Sequence, residues 1–434
     1  MSEKVDACIV GAGPAGSIAA ERLAQTGAHV LLLDAQKFPR YKCCAAGVLW
    51  HNIADFPEIE PVIENFNYKM VIHPPSRQRE FFIESDDHYL LGQTYRATLD
   101  DHLAKLAVKA GVEFREEHRV DKVRLLDGNG GISISVHDIA SETDYEVEAK
   151  IVIGADGVKS AVRKTHPDFQ HFTRDQLLIA SELDVPIDEA RILETYGDAR
   201  AVHMYLFHGD LPGYAWIFTK KKSVSLGMGT MLCFKGQTNG GKALTGAFAS
   251  FCNELEASSM IPAGSVHLGK TSYALIPSMP TNDAETHGRR ALLAGDAGGV
   301  FVSALSGEGI YYSCLSGNFA AETAARALKS GDFSVKALES YPRAWKARLT
   351  HELDYQYWAK GYMLESKRRC EKAVRWGMYD DIIRRFLSAF FAGSYAIDRR
   401  FMTKLVGQYV RLKIKDRLGM MGPRERKEDY PEEK

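Results

Sequence analysis

The chain has 434 residues, 45% hydrophobic and 26% charged, with a formal net charge of -1 and a pI near 6.9. This length exceeds what one hydrophobic core usually organises, so two connected domains plus a terminal extension are expected, and the composition excludes fibrous, collagenous and largely disordered chains. A nearly neutral chain has no global field to recruit nucleic acid, and seven cysteines without metal-ligand spacing predict reduced thiols in a cytoplasm and no metal centre.

Residues 1 to 10 run straight into a strand-like segment, leaving no room for a secretory signal. Val5 to Val10, Pro14 to Gln25 and His29 to Asp34 read as strand, helix and strand. Between the first two lies Gly11-Ala12-Gly13-Pro14-Ala15-Gly16, a G-x-G-x-x-G placed between strand and helix as the dinucleotide fingerprint requires. Gly11 permits the tight turn, Gly13 admits a pyrophosphate to the backbone, and Gly16 lets helix and strand pack closely. The helix N-terminus then presents free N–H groups to the diphosphate. Asp34, at the end of the second strand, is placed to accept from ribose hydroxyls. A carboxylate there disfavours a 2′-phosphate, so the nucleotide is expected to be FAD or NAD.

Further along, Leu99 to Ala110 reads as a helix, Val112 to Phe114 as a strand, and the glycine-rich stretch 127–131 as a hairpin turn. The strand Lys150 to Ile153 runs into Gly154-Ala155-Asp156-Gly157. From 170 to 280 the pattern changes to strand-like segments: Leu177 to Val185, Ala190 to Thr195, Val202 to Phe207, Tyr214 to Phe218 and Ser223 to Met228. Their β-branched and aromatic alternation predicts an antiparallel sheet inserted into the first domain. Tyr214, Trp216 and Phe218 share one face of a strand, which makes either a core contact or an apolar wall with polar handles.

The chain returns to strand, glycine turn and long helix at 290–328, with Gly295-Asp296 at a strand end and Ser306-Gly307-Glu308-Gly309-Ile310-Tyr311-Tyr312 before the helix. An Asp at a strand end can bond polyol hydroxyls, and the helix start can face an anionic ring. Beyond 340 amphipathic helices are expected, with 423–434 as a frayed charged tail. The apolar run 386–397 is too short to cross a bilayer. Between Arg399 and Arg417 the local charge is +6, which suits either an anionic membrane face or a solvated helix.

The fingerprint with the segments 155–157 and 295–296 resembles the p-hydroxybenzoate-hydroxylase-like FAD superfamily over roughly residues 5–330. Within it, Lys42-Cys43-Cys44-Ala45-Ala46-Gly47, Tyr214-Ala215-Trp216-Ile217-Phe218 and 306–312 resemble the geranylgeranyl reductase family. Two departures stand out: Ala45-Ala46 replaces a glycine pair, and Thr219 stands where proline is common. The resemblance implies an α/β fold: a glutathione-reductase-like, Rossmann-type FAD-binding domain, an inserted antiparallel-sheet substrate domain and a C-terminal helical extension. The implied parts are 1–75, 96–166 and 283–340 for FAD, 76–95 and 167–282 for substrate, and 341–434 for the extension.

It implies cofactor contacts from Gly11, Gly13, Ala15, Gly16, Asp34, Cys44, Ala46, Gly47, Arg96, Val120, Asp156, Gly157, Asp296, Gly307, Gly309 and Ile310, and catalytic roles for Cys44, Tyr214 and Trp216. Cys44 reads otherwise as a small buried hydrophobe; Arg40 and Lys42 are the nearby charges that would lower its pKa. The implied reaction is saturation of C=C bonds in a geranylgeranyl or other prenyl chain. Its electrons would come from outside, from NAD(P)H or a ferredoxin-like protein, and the enzyme would be cytoplasmic or peripheral to the membrane. The alternatives are an NAD(P)H-dependent monooxygenase or halogenase of the same superfamily, and an electron carrier to quinone.

Overall fold

The computed structural model describes residues 3–85, 87–128, 130–233, 240–364, 366–393 and 399–420; the tail 423–434 lies outside them. Strand β1 (Glu3–Val10), helix α1 (Pro14–Ala24) and strand β2 (Val30–Leu33) form the expected βαβ unit. Every residue of β2 is buried, as a parallel strand covered on both faces requires. A hairpin, β3 (Lys69–His73) and β4 (Phe81–Glu84), precedes helix α2 (Arg96–Lys109), strand β5 (Glu113–Arg115) and the meander β6 (His118–Leu125), β7 (Ile132–Asp138) and β8 (Thr143–Gly154).

Next come β9 (Leu177–Pro186), α3 (Glu189–Tyr196), β10 (Val202–His208), β11 (Leu211–Thr219), β12 (Ser223–Met231), α4 (Gly240–Ala257) and β13 (Ser272–Pro277). Strand β14 (Ala291–Leu293) and helix α5 (Ile310–Ser330) return to the first domain. Helices α6 (Ser340–Leu364), α7 (Lys367–Tyr379), α8 (Asp381–Ala392) and α9 (Arg399–Arg417) complete the extension.

Two sheets carry the architecture. In the first, β14, β8, β1, β2 and β5 lie side by side and parallel, with β7 and β6 added antiparallel. The second runs β13–β9–β12–β11–β10–β3–β4.

Three expectations need correction. The segment 190–195 is helical, not a strand: Ile192 and Tyr196 are buried one helical turn apart, and Gly197 at φ +74° stops the turn. The inserted sheet is antiparallel as expected across β13–β9–β12–β11–β10, with β3 added in parallel at its β10 edge, but the stretch expected to be strands also holds the helix α4, which covers the sheet. Finally, the division expected at residue 75 falls in the loop between β3 and β4, both members of the second sheet.

Candidate functional site

The glycine loop is dictated by close packing. Gly11 adopts φ +95°, and a Cβ there would fall 2.4 Å from the Ala155 carbonyl oxygen. A Cβ on Gly16 would fall 1.8 Å from the Gly11 oxygen, so α1 can sit against β1 only with glycine at 16. At Gly13 the space is open, and the nearest atoms to a Cβ would be Arg40 Nη2 at 3.7 Å and Arg96 Nη2 at 4.0 Å.

Asp34 ties this loop to β2: its carboxylate accepts from Ala12 N at 2.8 Å and from Gln36 N at 2.9 Å. Behind the two arginines lies Asp100, fully buried, accepting Arg96 Nε and Nη2 at 2.9 and 2.8 Å, with Arg40 Nη1 at 2.9 Å. Arg40 Nε is buried with no hydrogen-bond partner among the described residues. An open glycine backbone beside two guanidinium groups, held by Asp100 and, on the Arg40 side, by Asp34 at 3.8 Å, with one buried Arg40 N–H left without a hydrogen bond, fits a diphosphate. Sequence reading left Asp100 and the role of Arg40 unassigned, although the Arg96–Asp100 spacing of four on a helix signals a pair.

From this cradle a cleft of about 1650 Å³, counting space open to solvent, extends between the sheets. The structure gathers most of the expected site residues around it. Gly13, Ala15, Arg96, Gly157 and Asp296 line its nucleotide side; Cys44, Ala46 and Gly47 line one flank, and Gly307, Gly309 and Ile310 another. Tyr214 and Trp216 line the far wall with Phe218, on the shared face the alternation predicts.

Others lie outside the lining. Val120 packs in the core beside β7. Asp156 Oδ2 caps the short helix Ala161–Thr165 through Ala161 N and Val162 N, while its buried Oδ1 has no partner among the described residues. Arg40 and Lys42 are engaged with Asp100 and Asp296, and the cation beside Cys44 is Arg96. Ala46 holds φ +55°, a left-handed conformation that disfavours residues with a Cβ by about 1–2 kcal/mol.

On the far wall, Tyr214 donates to the Ser306 carbonyl, and Trp216 Nε1 is buried without a partner among the described residues. Gly47 makes room for Phe218, whose Cε2 would lie 2.7 Å from a Cβ. Leu364, Leu305, Met204 and Phe391 close the wall and belong to the hydrophobic cluster of the C-terminal helices.

Glu308 lines the cleft at the start of α5 and accepts the Tyr311 N–H at 2.7 Å. Burial pushes its carboxyl up to about 7. Because the folded value exceeds the unfolded one, Glu308 favours folding at low pH, and that contribution is lost as pH rises from about 4.5 to about 7. At about 1.4 kcal/mol per pH unit the loss amounts to a few kcal/mol. Glu308→Gln is expected to flatten the fall in stability between pH 5 and 8, measured by urea unfolding; an unchanged slope would assign the pH dependence to other groups.

The FAD binding domain family matches residues 63–310, and the NAD(P)-binding Rossmann-like domain family matches residues 9–43. The geranylgeranyl diphosphate reductase of Rhodobacter capsulatus is 31% identical over 76% of this chain and 77% of its own length. Digeranylgeranylglycerophospholipid reductase 1 of Methanosphaera stadtmanae is 29% identical over 78% and 79%. A solved geranylgeranyl bacteriochlorophyll reductase-like protein from Thermoplasma acidophilum shares the fold, with a TM-score of 0.75 at 20% identity over 97% of this chain and 100% of its own.

Proposed function

The chain belongs to the geranylgeranyl reductase family of FAD-dependent oxidoreductases, and on that premise we propose that it saturates C=C bonds of a prenyl lipid or prenyl diphosphate. The observation that carries this reading is continuity: the cradle at Gly13, Arg40 and Arg96 opens directly into an apolar cleft walled by Trp216, Phe218, Leu364 and Phe391.

FAD, when bound, supplies the hydride. The protein's residues do the rest. Gly13, Arg40 and Arg96 hold the diphosphate, and Gly307 and Gly309 allow the loop before α5 to close on the ring. Asp34 and Asp296 are assigned to FAD hydroxyls and Cys44, Ala46 and Gly47 to the ring's flank. The aromatic wall orients the hydrocarbon and excludes water that would compete for a developing charge. Electrons enter from an external donor, NAD(P)H or a ferredoxin-like protein. The deciding experiment reduces the purified protein anaerobically with dithionite and offers a panel of prenyl diphosphates, prenyl glycerol ethers and prenyl quinones. Mass spectrometry should find a gain of two hydrogens per saturated bond. No gain with any lipid, together with NADPH-coupled hydroxylation, would overturn the reading.

A lipid substrate gives the C-terminal helix a purpose. No described helix is long and apolar enough to span a membrane, but α9 has two apolar faces. Leu405 and Leu412 pack into the cluster that walls the cleft. On the opposite face Val406, Val410 and Ile414 are exposed at a spacing of four, flanked by exposed Arg400, Lys404, Arg411, Lys415 and Arg417. The helix's one acid, Asp416, pairs with Arg375 at 2.8 Å.

This face suits a helix lying in the interface of an anionic bilayer, where each basic residue contributes about 1 kcal/mol. Phosphatidylglycerol vesicles are expected to sediment the whole protein and phosphatidylcholine vesicles to leave it in solution. Val410→Asp with Ile414→Asp should lose the sedimentation and keep the flavin. Equal binding to both vesicles, or lipid-free self-association through this face, would refute it.

A further inference from the structure

The reaction proposed above needs a proton at one alkene carbon as well as a hydride at the other, and the protein must hold that proton in an apolar wall. The second sheet contributes a single carboxylic acid to the cleft lining among the described residues, Glu182 on β9. Its placement follows from register. Glu182 pairs with Gly227 on β12, and Gly227 with Trp216 on β11, so the three share one face. Gly227 has no side chain, and the Trp216 indole lies over it, its Cζ2 1.9 Å from where a Cβ would stand.

The other acids of the lining stand on the cofactor's side of the cleft, away from the second sheet. Asp296 faces Lys42 at 3.6 Å, and Glu308 is fixed by the first turn of α5. The Tyr214 hydroxyl donates its hydrogen bond to the Ser306 carbonyl.

Glu182 is also connected to solvent. It is 1% exposed, yet its Oε2 accepts from the hydroxyl of Tyr41, a residue 54% exposed. Ser225 Oγ donates to Oε1 at 3.0 Å. Each carboxyl oxygen retains a second lone pair, so the acid can carry a proton within this network. We infer that Glu182 is the acid that protonates the substrate double bond, and that Tyr41 returns the proton to it from solvent.

In the step, the π pair of the alkene takes the Glu182 proton to form one C–H bond, and the hydride that the reductase reaction supplies forms the other. The Glu182 carboxylate then recovers its proton through the Tyr41 hydroxyl. Burial first and the neighbouring Asp184 second raise the proton affinity of Glu182, and they outweigh the hydrogen bonds from Tyr41 and Ser225 and the charge of Lys220, which is drawn off to Asp184 at 3.0 Å. Cys43, the other titratable neighbour, is pushed up to about 12 by burial and stays a neutral thiol.

The inference rests on the prenyl-reductase reading, and its failure is separable: if the wild-type holoenzyme reduces no prenyl substrate the reading falls, whereas the variants below judge Glu182 once it does. With geranylgeranyl diphosphate as probe, Glu182→Gln is expected to lower kcat about 100-fold, the low end for general acid catalysis, with KM and bound FAD unchanged. The alkaline fall in the wild-type kcat should disappear in the variant. Without turnover, infrared spectra of the wild type should hold a protonated-carboxyl band that Glu182→Gln removes. Tyr41→Phe should slow turnover and keep the band. A Glu182→Gln enzyme with wild-type kcat, or a missing band, overturns the assignment. Should Glu182→Gln lose its flavin or fail to fold, Tyr41→Phe decides, and a wild-type rate there overturns the proton route.

Discussion

Asp100→Ala is expected to yield a protein that is colourless as purified and less stable by about 3–5 kcal/mol, the range for removing one partner from a buried ionic cluster. Asp100 has no solvent exposure and joins Arg40 to Arg96. With the carboxylate gone, Arg96 loses the acid that holds it and Arg40 keeps only Asp34, at 3.8 Å. Lost attraction is the smaller part of the damage; the uncompensated buried charge is the larger. A bound diphosphate supplies negative charge at the same place, so the deficit should be largest in the FAD-free protein and shrink when FAD is added in excess. Thermal or urea unfolding with and without FAD measures this. Equal deficits in both states would mean that the arginines serve the fold and do not face the cofactor. Asp100→Asn, which keeps one acceptor for Arg96, should fall between.

The elements legible in the sequence are those whose causes are local. Gly11 and Gly16 are forced by contacts a Cβ would violate within one βαβ unit, and that constraint is written as a six-residue motif. The face shared by Tyr214, Trp216 and Phe218 follows from strand periodicity alone, since an unbroken strand must alternate its side chains. Periodicity failed at 190–195 because two turns of helix carry too few residues to separate a period of 3.6 from a period of 2. It also gave no sign that β3 would pair in parallel with β10, about 130 residues away, which is a tertiary event.

Asp100 carried a local signal in its spacing of four from Arg96, whereas the pairing of Tyr41 with Glu182 has the same tertiary cause as that of β3 with β10. Tyr41 and Glu182 are 141 positions apart, and nothing in either neighbourhood announces the other. Asp156 shows a related limit: a strand-end acid before a short helix reads equally as a ligand for hydroxyls or as a cap. One of its oxygens caps the helix, and the other is buried without a partner among the described residues.

Gly227→Ala should separate the wall of the cleft from the cofactor cradle. A Cβ at 227 would fall 1.9 Å from Trp216 Cζ2 and 2.2 Å from Cε2, so the indole must lift from the sheet. It is free to do so, because Nε1 has no hydrogen bond among the described residues holding it and the space in front of it is the cleft. The backbone at 227 lies in a regular strand and accepts alanine, and the overlap remains one between side chains. Overpacking of this kind costs about 1–3 kcal/mol, equivalent to roughly 5–150-fold in kcat/KM if the strain falls on substrate binding.

FAD content should be unchanged, since the cradle is built on the other sheet. The loss should be greatest for a twenty-carbon chain and smaller for a ten-carbon one, which need not pass the displaced ring. Trp216→Phe in the Gly227→Ala background should restore part of the loss, because the smaller ring clears the new methyl, whereas Trp216→Phe alone should lower kcat/KM. That opposite sign in the two backgrounds is what a contact between the residues produces. Additive effects would place the indole's contribution somewhere other than over Gly227.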